Sequence, residues 1–168
     1  MLNKIEKLSE TEFTEVFANI FENASWIAEK LYKQKPFENF QDLSKKMISI
    51  FENADDRNKL KILNSHPDLA NKAKIGSLTP DSNKEQSAAR LDQCTENEFK
   101  EFKNLNKKYK DKFGFPFIFA VKGKNKLEIL INFKQRFLSE KKIEFDEAVK
   151  QVKQIATLRL DELKNKFL

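Results

Sequence analysis

The sequence predicts an all-α protein: one compact domain, residues 1–168, of about eight helices with a short irregular buried segment. Three observations carry this. Only 3 glycines and 4 prolines occur in 168 residues, so few positions interrupt a helix. Apolar residues recur three and four apart through most of the chain. A capping side chain followed three residues later by glutamate, the signature of a helix start, occurs at Ser9/Glu12, Ser82/Glu85, Thr95/Glu98 and Asn125/Glu128. The 16 phenylalanines make the expected core one of aromatic plates.

Ser9 opens a helix whose apolar positions are Phe13, Val16, Phe17, Ile20 and Phe21. A second, short helix carries Trp26, Ile27 and Leu31, and Pro36 marks a break. Phe40, Leu43, Met47, Ile48 and Phe51 form a third apolar face. Asp55 or Asp56 can cap a fourth helix containing Leu60 and Leu63. That helix should end near Ser65, because residues just before a proline leave the helical region. Pro67 then suits an early position of a new short helix, "DLANKA", 68–73, which places His66 at a helix-to-helix corner.

"KIGSLTPDS", 74–82, reads as a loop, and Ser82 as the start of a helix to about Leu91. After Thr95, the positions Phe99, Phe102, Leu105 or Asn106, Tyr109 and Phe113 give a long amphipathic helix that Gly114 can end. "FGFPFIFAVKG", 113–123, breaks the helical pattern and is almost wholly apolar, as a buried irregular segment would be. Asn125 and Glu128 open a helix whose apolar positions are Leu127, Leu130, Ile131 and Phe137. The last helix runs from about Phe145 to the end through Val149, Val152, Ile155, Ala156, Leu160 and Leu163.

Composition narrows the function classes. The net charge of +6 comes from lysines spread beside acids rather than gathered in a block, so no nucleic-acid partner is expected. No stretch reaches the ~18 apolar residues of a membrane span. The opening "MLNKIEKLSE" has no signal-peptide core, so a cytoplasmic protein without a membrane partner is expected. One cysteine, Cys94, excludes an internal disulfide. One histidine and one cysteine leave carboxylates almost alone as ligands, so no metal is expected.

Four places invite chemistry. His66 is the only imidazole, and a corner on a rigid scaffold is a common seat for function. "SNKEQ", 82–86, caps a helix, yet free amides at a helix start also attract anionic or carbonyl-bearing ligands. In "FPFIFAV", 115–121, a buried irregular backbone has N–H and C=O groups that need partners, and a ligand is one such partner. Arg159, inside the apolar "IATLRL", either reaches outward or faces a cavity that holds an anion. No nucleophile elbow, phosphate loop or dinucleotide fingerprint is present.

Taken in order, "HPDLANKA", "LTPDSNKEQ", "LDQCTENEFKEF", "FGFPFIFAVKG" and "IATLRL" resemble the decarboxylases of 2-oxo-4-hydroxy-4-carboxy-5-ureidoimidazoline (OHCU) along nearly the whole chain. The resemblance implies an all-α homodimer with no cofactor, acting on this ureidoimidazoline in urate degradation to give (S)-allantoin and CO2. It implies His66 as acid/base, Glu85 as its acidic partner and Arg159 as the basic residue of the pocket. It implies a substrate lining of Pro67, Ser82, Asn83, Lys84, Glu85 and Gln86, with Phe117, Ile118, Phe119, Ala120 and Val121. The alternative is a helical module that binds a purine-derived ligand without catalysis.

Overall fold

The computed structural model describes residues 2–71 and 78–167. Those residues form nine α-helices and no strand: α1 (Leu2–Glu6), α2 (Glu10–Phe17), α3 (Ser25–Tyr32), α4 (Phe40–Glu52), α5 (Asp56–Ser65), α6 (Pro80–Ala88), α7 (Glu96–Phe113), α8 (Lys126–Phe137) and α9 (Lys141–Phe167). A 3₁₀ turn, Leu91–Gln93, joins α6 to α7. The all-α expectation holds, and the chain divides by its internal packing into two units, 1–65 with 153–168 and 66–152.

In the first unit, Phe13 and Phe17 pack 4.5 Å apart on α2, and Phe13 stacks on Phe37 at 6.1 Å. Phe21 meets Phe51 of α4 at 4.9 Å. Phe13, Phe17, Phe21 and Phe51 are all buried. Each such side chain contributes about 1.5–3 kcal/mol by leaving water. The reciprocal Ser9/Glu12 box sets the start of α2, but the helix ends at Phe17. Ile20 and Phe21 are buried from the following turn rather than from the helix itself. Asp55 accepts from Asn58 N–H at 2.7 Å and so caps α5. On that helix Ile62 and Leu63 are buried, while Leu60 is an exposed apolar side chain.

In the second unit, Tyr109 of α7 is the hub of an aromatic cluster with Phe113, Phe115, Phe117 and Phe133. Phe117 and Phe133 stack with centroids 3.9 Å apart. Thr95/Glu98 and Asn125/Glu128 are reciprocal capping boxes, and Gly114 ends α7 in the left-handed region at φ 82°. Residues 115–121 are irregular as expected. Phe115, Phe117, Ile118 and Val121 are buried.

Three expectations are corrected, and the buried side of α8 is defined. The described part of "DLANKA", 68–71, is a turn, not a helix, and Ala70 sits at φ 51°; 72–77 lie outside the described residues. Helix α6 begins at Pro80 with Thr79 as its cap, so Ser82 lies inside it and the Ser82/Glu85 spacing is not a capping box. Pro80 at the helix start explains the shift, since its fixed φ suits that position. On α8 the buried positions are Ile129, Phe133 and Arg136, and Leu127 and Ile131 are exposed. Apolar residues cover two sides of this helix, and the Tyr109–Phe117 cluster takes the side bearing Phe133. Helix α9 begins at Lys141, four residues before Phe145.

Candidate active site

The segment carrying His66 follows α5 and leaves the helical path at Pro67. Its backbone polar groups have no ladder to join, and side chains of the same unit take them up. Gln86 of α6 accepts from Ala70 N–H at 3.0 Å and donates to the Asp68 carbonyl at 3.3 Å. Asn106 of α7 donates to the Leu69 carbonyl at 2.9 Å. Lys110, one turn further on, donates to the Asp68 carboxylate at 2.8 Å. His66 itself is 9% exposed.

Gln86 is buried, and the preceding residue on the same helix is the half-buried Glu85. The grip of Gln86 on residues 68 and 70 therefore fixes the backbone that carries Glu85 against the backbone just after His66. Ser82 is buried, whereas Asn83 and Lys84 are exposed.

The irregular segment is pinned from two helices. Arg136 of α8 donates through Nη1 to the Ile118 carbonyl at 2.6 Å and lies 4.5 Å over the Phe117 ring. Its Nε and Nη2 both donate to one carboxylate oxygen of Glu144, at 2.8 and 2.5 Å. The Tyr109 hydroxyl donates to that same oxygen. Burial, then the bond to Glu144, push the Tyr109 phenol well above its ordinary range, so it stays a donor. Gln151 of α9 accepts from Ala120 N–H at 3.0 Å. Three backbone groups of 117–121 are thus bonded within the protein: the Ile118 carbonyl, the Ala120 amide and the Val121 carbonyl, which accepts from Lys124 N–H at 2.9 Å.

Arg159 belongs to the first unit, on the stretch of α9 after residue 153. It is buried; its Nη1 donates to the Asn19 carbonyl at 3.0 Å, and its Nη2 pairs with Glu22 at 3.0 Å. Its charge is inward, which excludes the outward reading of "IATLRL"; the anion it meets within its own unit is the Glu22 carboxylate. Among the described residues, no three His, Cys, Asp or Glu side chains form a candidate metal cluster. No helix among them is long and apolar enough to cross a membrane.

Known proteins extend this picture. The family model described as OHCU decarboxylase matches residues 6–161. The chain belongs to the OHCU decarboxylase family. It is 33% identical over 161 residues to the 2-oxo-4-hydroxy-4-carboxy-5-ureidoimidazoline decarboxylase of Haloferax volcanii, covering 96% of this chain and 94% of that protein. It is 41% identical over 162 residues to a uric acid degradation bifunctional protein of Bacillus sp. (strain TB-90), covering 96% of this chain. The chain spans 32% of that bifunctional protein's length. The crystal structure of an (S)-allantoin synthase superposes with a TM-score of 0.78 at 27% identity, over 97% of this chain and 53% of that one.

Within this OHCU decarboxylase-family chain, His66, Pro67, 82–86 and 117–121 all fall in the second unit, and Arg159 in the first. Sequence reasoning missed Asn106, Arg136, Glu144 and Glu22 as partners. Arg136 and Glu144 carried a signal, charges at helical spacing on apolar faces. Asn106 was open as an alternative to Leu105, and the structure buries Asn106.

Proposed function

We propose that this chain is a carboxy-lyase that needs no cofactor and converts OHCU to (S)-allantoin and CO2 during urate breakdown. The observation that carries the reading is the family match along 6–161, which contains every residue assigned to the site.

The substrate supplies its own electron sink. The bond to the carboxylate breaks, CO2 departs, and the electron pair moves into the adjacent ring C=N. The ring nitrogen that receives the C=N pair takes up one proton, the resulting enol takes a second on the carbon that had borne the C=N, and its hydroxyl proton leaves as the ring carbonyl forms. One proton is consumed for each CO2 released. The protein has to orient the substrate and move protons to one face. His66 serves as the proton carrier, since imidazole titrates near neutral pH. Glu85 orients the imidazole or receives the ureido N–H groups. By the family resemblance Arg159 is the basic residue of the pocket, and within its own unit its guanidinium is held by Glu22 and the Asn19 carbonyl. Pro67, Ser82–Gln86 and Phe117–Val121 shape the lining. Because its N–H is bonded to Gln151, Ala120 contributes surface rather than a donor.

The chain works as one OHCU decarboxylase-like domain, in the cytoplasm, where a lone cysteine is at home. It acts as a homodimer, as the family resemblance implies. The exposed apolar Leu127, Ile131, Leu138 and Ile143 of the second unit supply a surface for a second copy.

The test begins with urate, urate oxidase and hydroxyisourate hydrolase, with the transient absorbance of the ureidoimidazoline followed in time. Adding this protein should speed its decay in proportion to concentration. An unchanged rate would contradict the proposal.

A further inference from the structure

Asn106 occupies a position where the helix pattern calls for an apolar residue. It shares the buried stripe of α7 with Phe102, Tyr109 and Phe113, and it is 4% exposed. A buried amide is costly unless it forms hydrogen bonds. Among the described residues its Oδ1 has no hydrogen-bond partner, so the bond its nitrogen makes is the one that holds it. That nitrogen donates to the Leu69 carbonyl, three residues after His66.

The segment it meets depends on such contacts. Residues 68–70 lack regular secondary structure, and Ala70 has a left-handed backbone, a conformation a non-glycine residue keeps only where its surroundings impose it. Gln86 supplies two of the imposing bonds, and Asn106 supplies the one between them, from a different helix. Gln86 ties the segment to α6, and Asn106 ties it to the aromatic core of α7.

We propose that Asn106 is a positioning residue for His66: by holding the Leu69 carbonyl it fixes the corner from which the imidazole projects. The catalytic consequence rests on the decarboxylase reading above; the structural one does not. Asn106 touches no reacting atom in this account, and its effect passes through the backbone of 67–69.

The experiment uses the whole chain and its single histidine, whose imidazole C–H signals in an NMR spectrum are unambiguous. Asn106→Leu removes the donor and keeps a similar volume. The variant should fold, as judged by circular dichroism, and its His66 signals should shift and broaden or double. In the coupled assay kcat should fall about 10–100-fold, the scale expected for a small misplacement of a catalytic group, with KM nearly unchanged. A folded variant with wild-type His66 signals, or with wild-type kcat, would overturn the proposal. If Asn106→Leu does not fold, Asn106→Ala is read in the same way. If neither folds, Asn106 serves the whole fold rather than the corner, and the proposal fails. Absence of activity in the unmodified chain would defeat the functional reading alone, because the NMR comparison needs no substrate.

Discussion

Gln86 holds Ala70: its amide oxygen accepts the Ala70 N–H at 3.0 Å while its nitrogen reaches the Asp68 carbonyl. One buried side chain thus joins the helix bearing Glu85 to the turn that follows His66. Replacing Gln86 by Leu strands a buried donor and a carbonyl, at about 1–3 kcal/mol for each group left without a partner. Urea denaturation should show that loss in Gln86→Leu, and activity per folded molecule should fall as well. Full stability would mean that the turn finds other partners.

Glu85 is separable from the helix start. Thr79, not Ser82, caps α6 through Ser82 N–H, so the helix start is set by Thr79 rather than by a Ser82/Glu85 box. Glu85→Gln should therefore melt close to the unmodified protein yet turn over substrate poorly. Equal kcat/KM in the two proteins would remove Glu85 from the chemistry.

The sequence made these starts legible to different degrees. Ser9, Thr95 and Asn125 cap as their spacing predicts, because the box is a local exchange of two hydrogen bonds. The same spacing misleads at Ser82, where Pro80 offers a better start. Gly114 ends α7 for a local reason too, its positive φ. The inward side of α8 is not local information: Leu127, Ile131, Ile129 and Phe133 are all apolar, and Phe117 stacking on Phe133 decides which side is covered. Position and pattern singled out His66, 82–86, 115–121 and Arg159, but only the family's ordered motifs gave them roles. Their supports, Asn106, Arg136 and Glu22, depend on contacts between distant parts of the chain.

The Arg136–Glu144 pair offers a stability test. Glu144 is fully buried, and Arg136 meets it through two nitrogens. Arg136→Met removes the positive charge facing that carboxylate, a change that typically costs about 3–5 kcal/mol. The double variant Arg136→Met/Glu144→Leu should recover much of the loss. A double variant as unstable as the sum of both single ones would show that the two charges are not coupled.

Arg159 should show both structural and functional effects. Arg159→Ala withdraws the cation from the buried Glu22, so the melting temperature should fall clearly. Arg159→Lys keeps a charge but loses the planar fork, and should retain more stability while kcat/KM drops. Wild-type activity in the folded fraction of both variants would make Arg159 purely structural.

The most direct measurement sets the unmodified protein beside His66→Asn in the coupled assay and records the optical activity of the allantoin formed. The unmodified protein should give (S)-allantoin at a rate proportional to its concentration. The variant should fold equally well and lose about 10²–10⁴-fold of that rate, the range for removing a general acid–base group. Racemic allantoin at the uncatalysed rate from the unmodified protein, or undiminished (S)-allantoin from His66→Asn, would contradict the account.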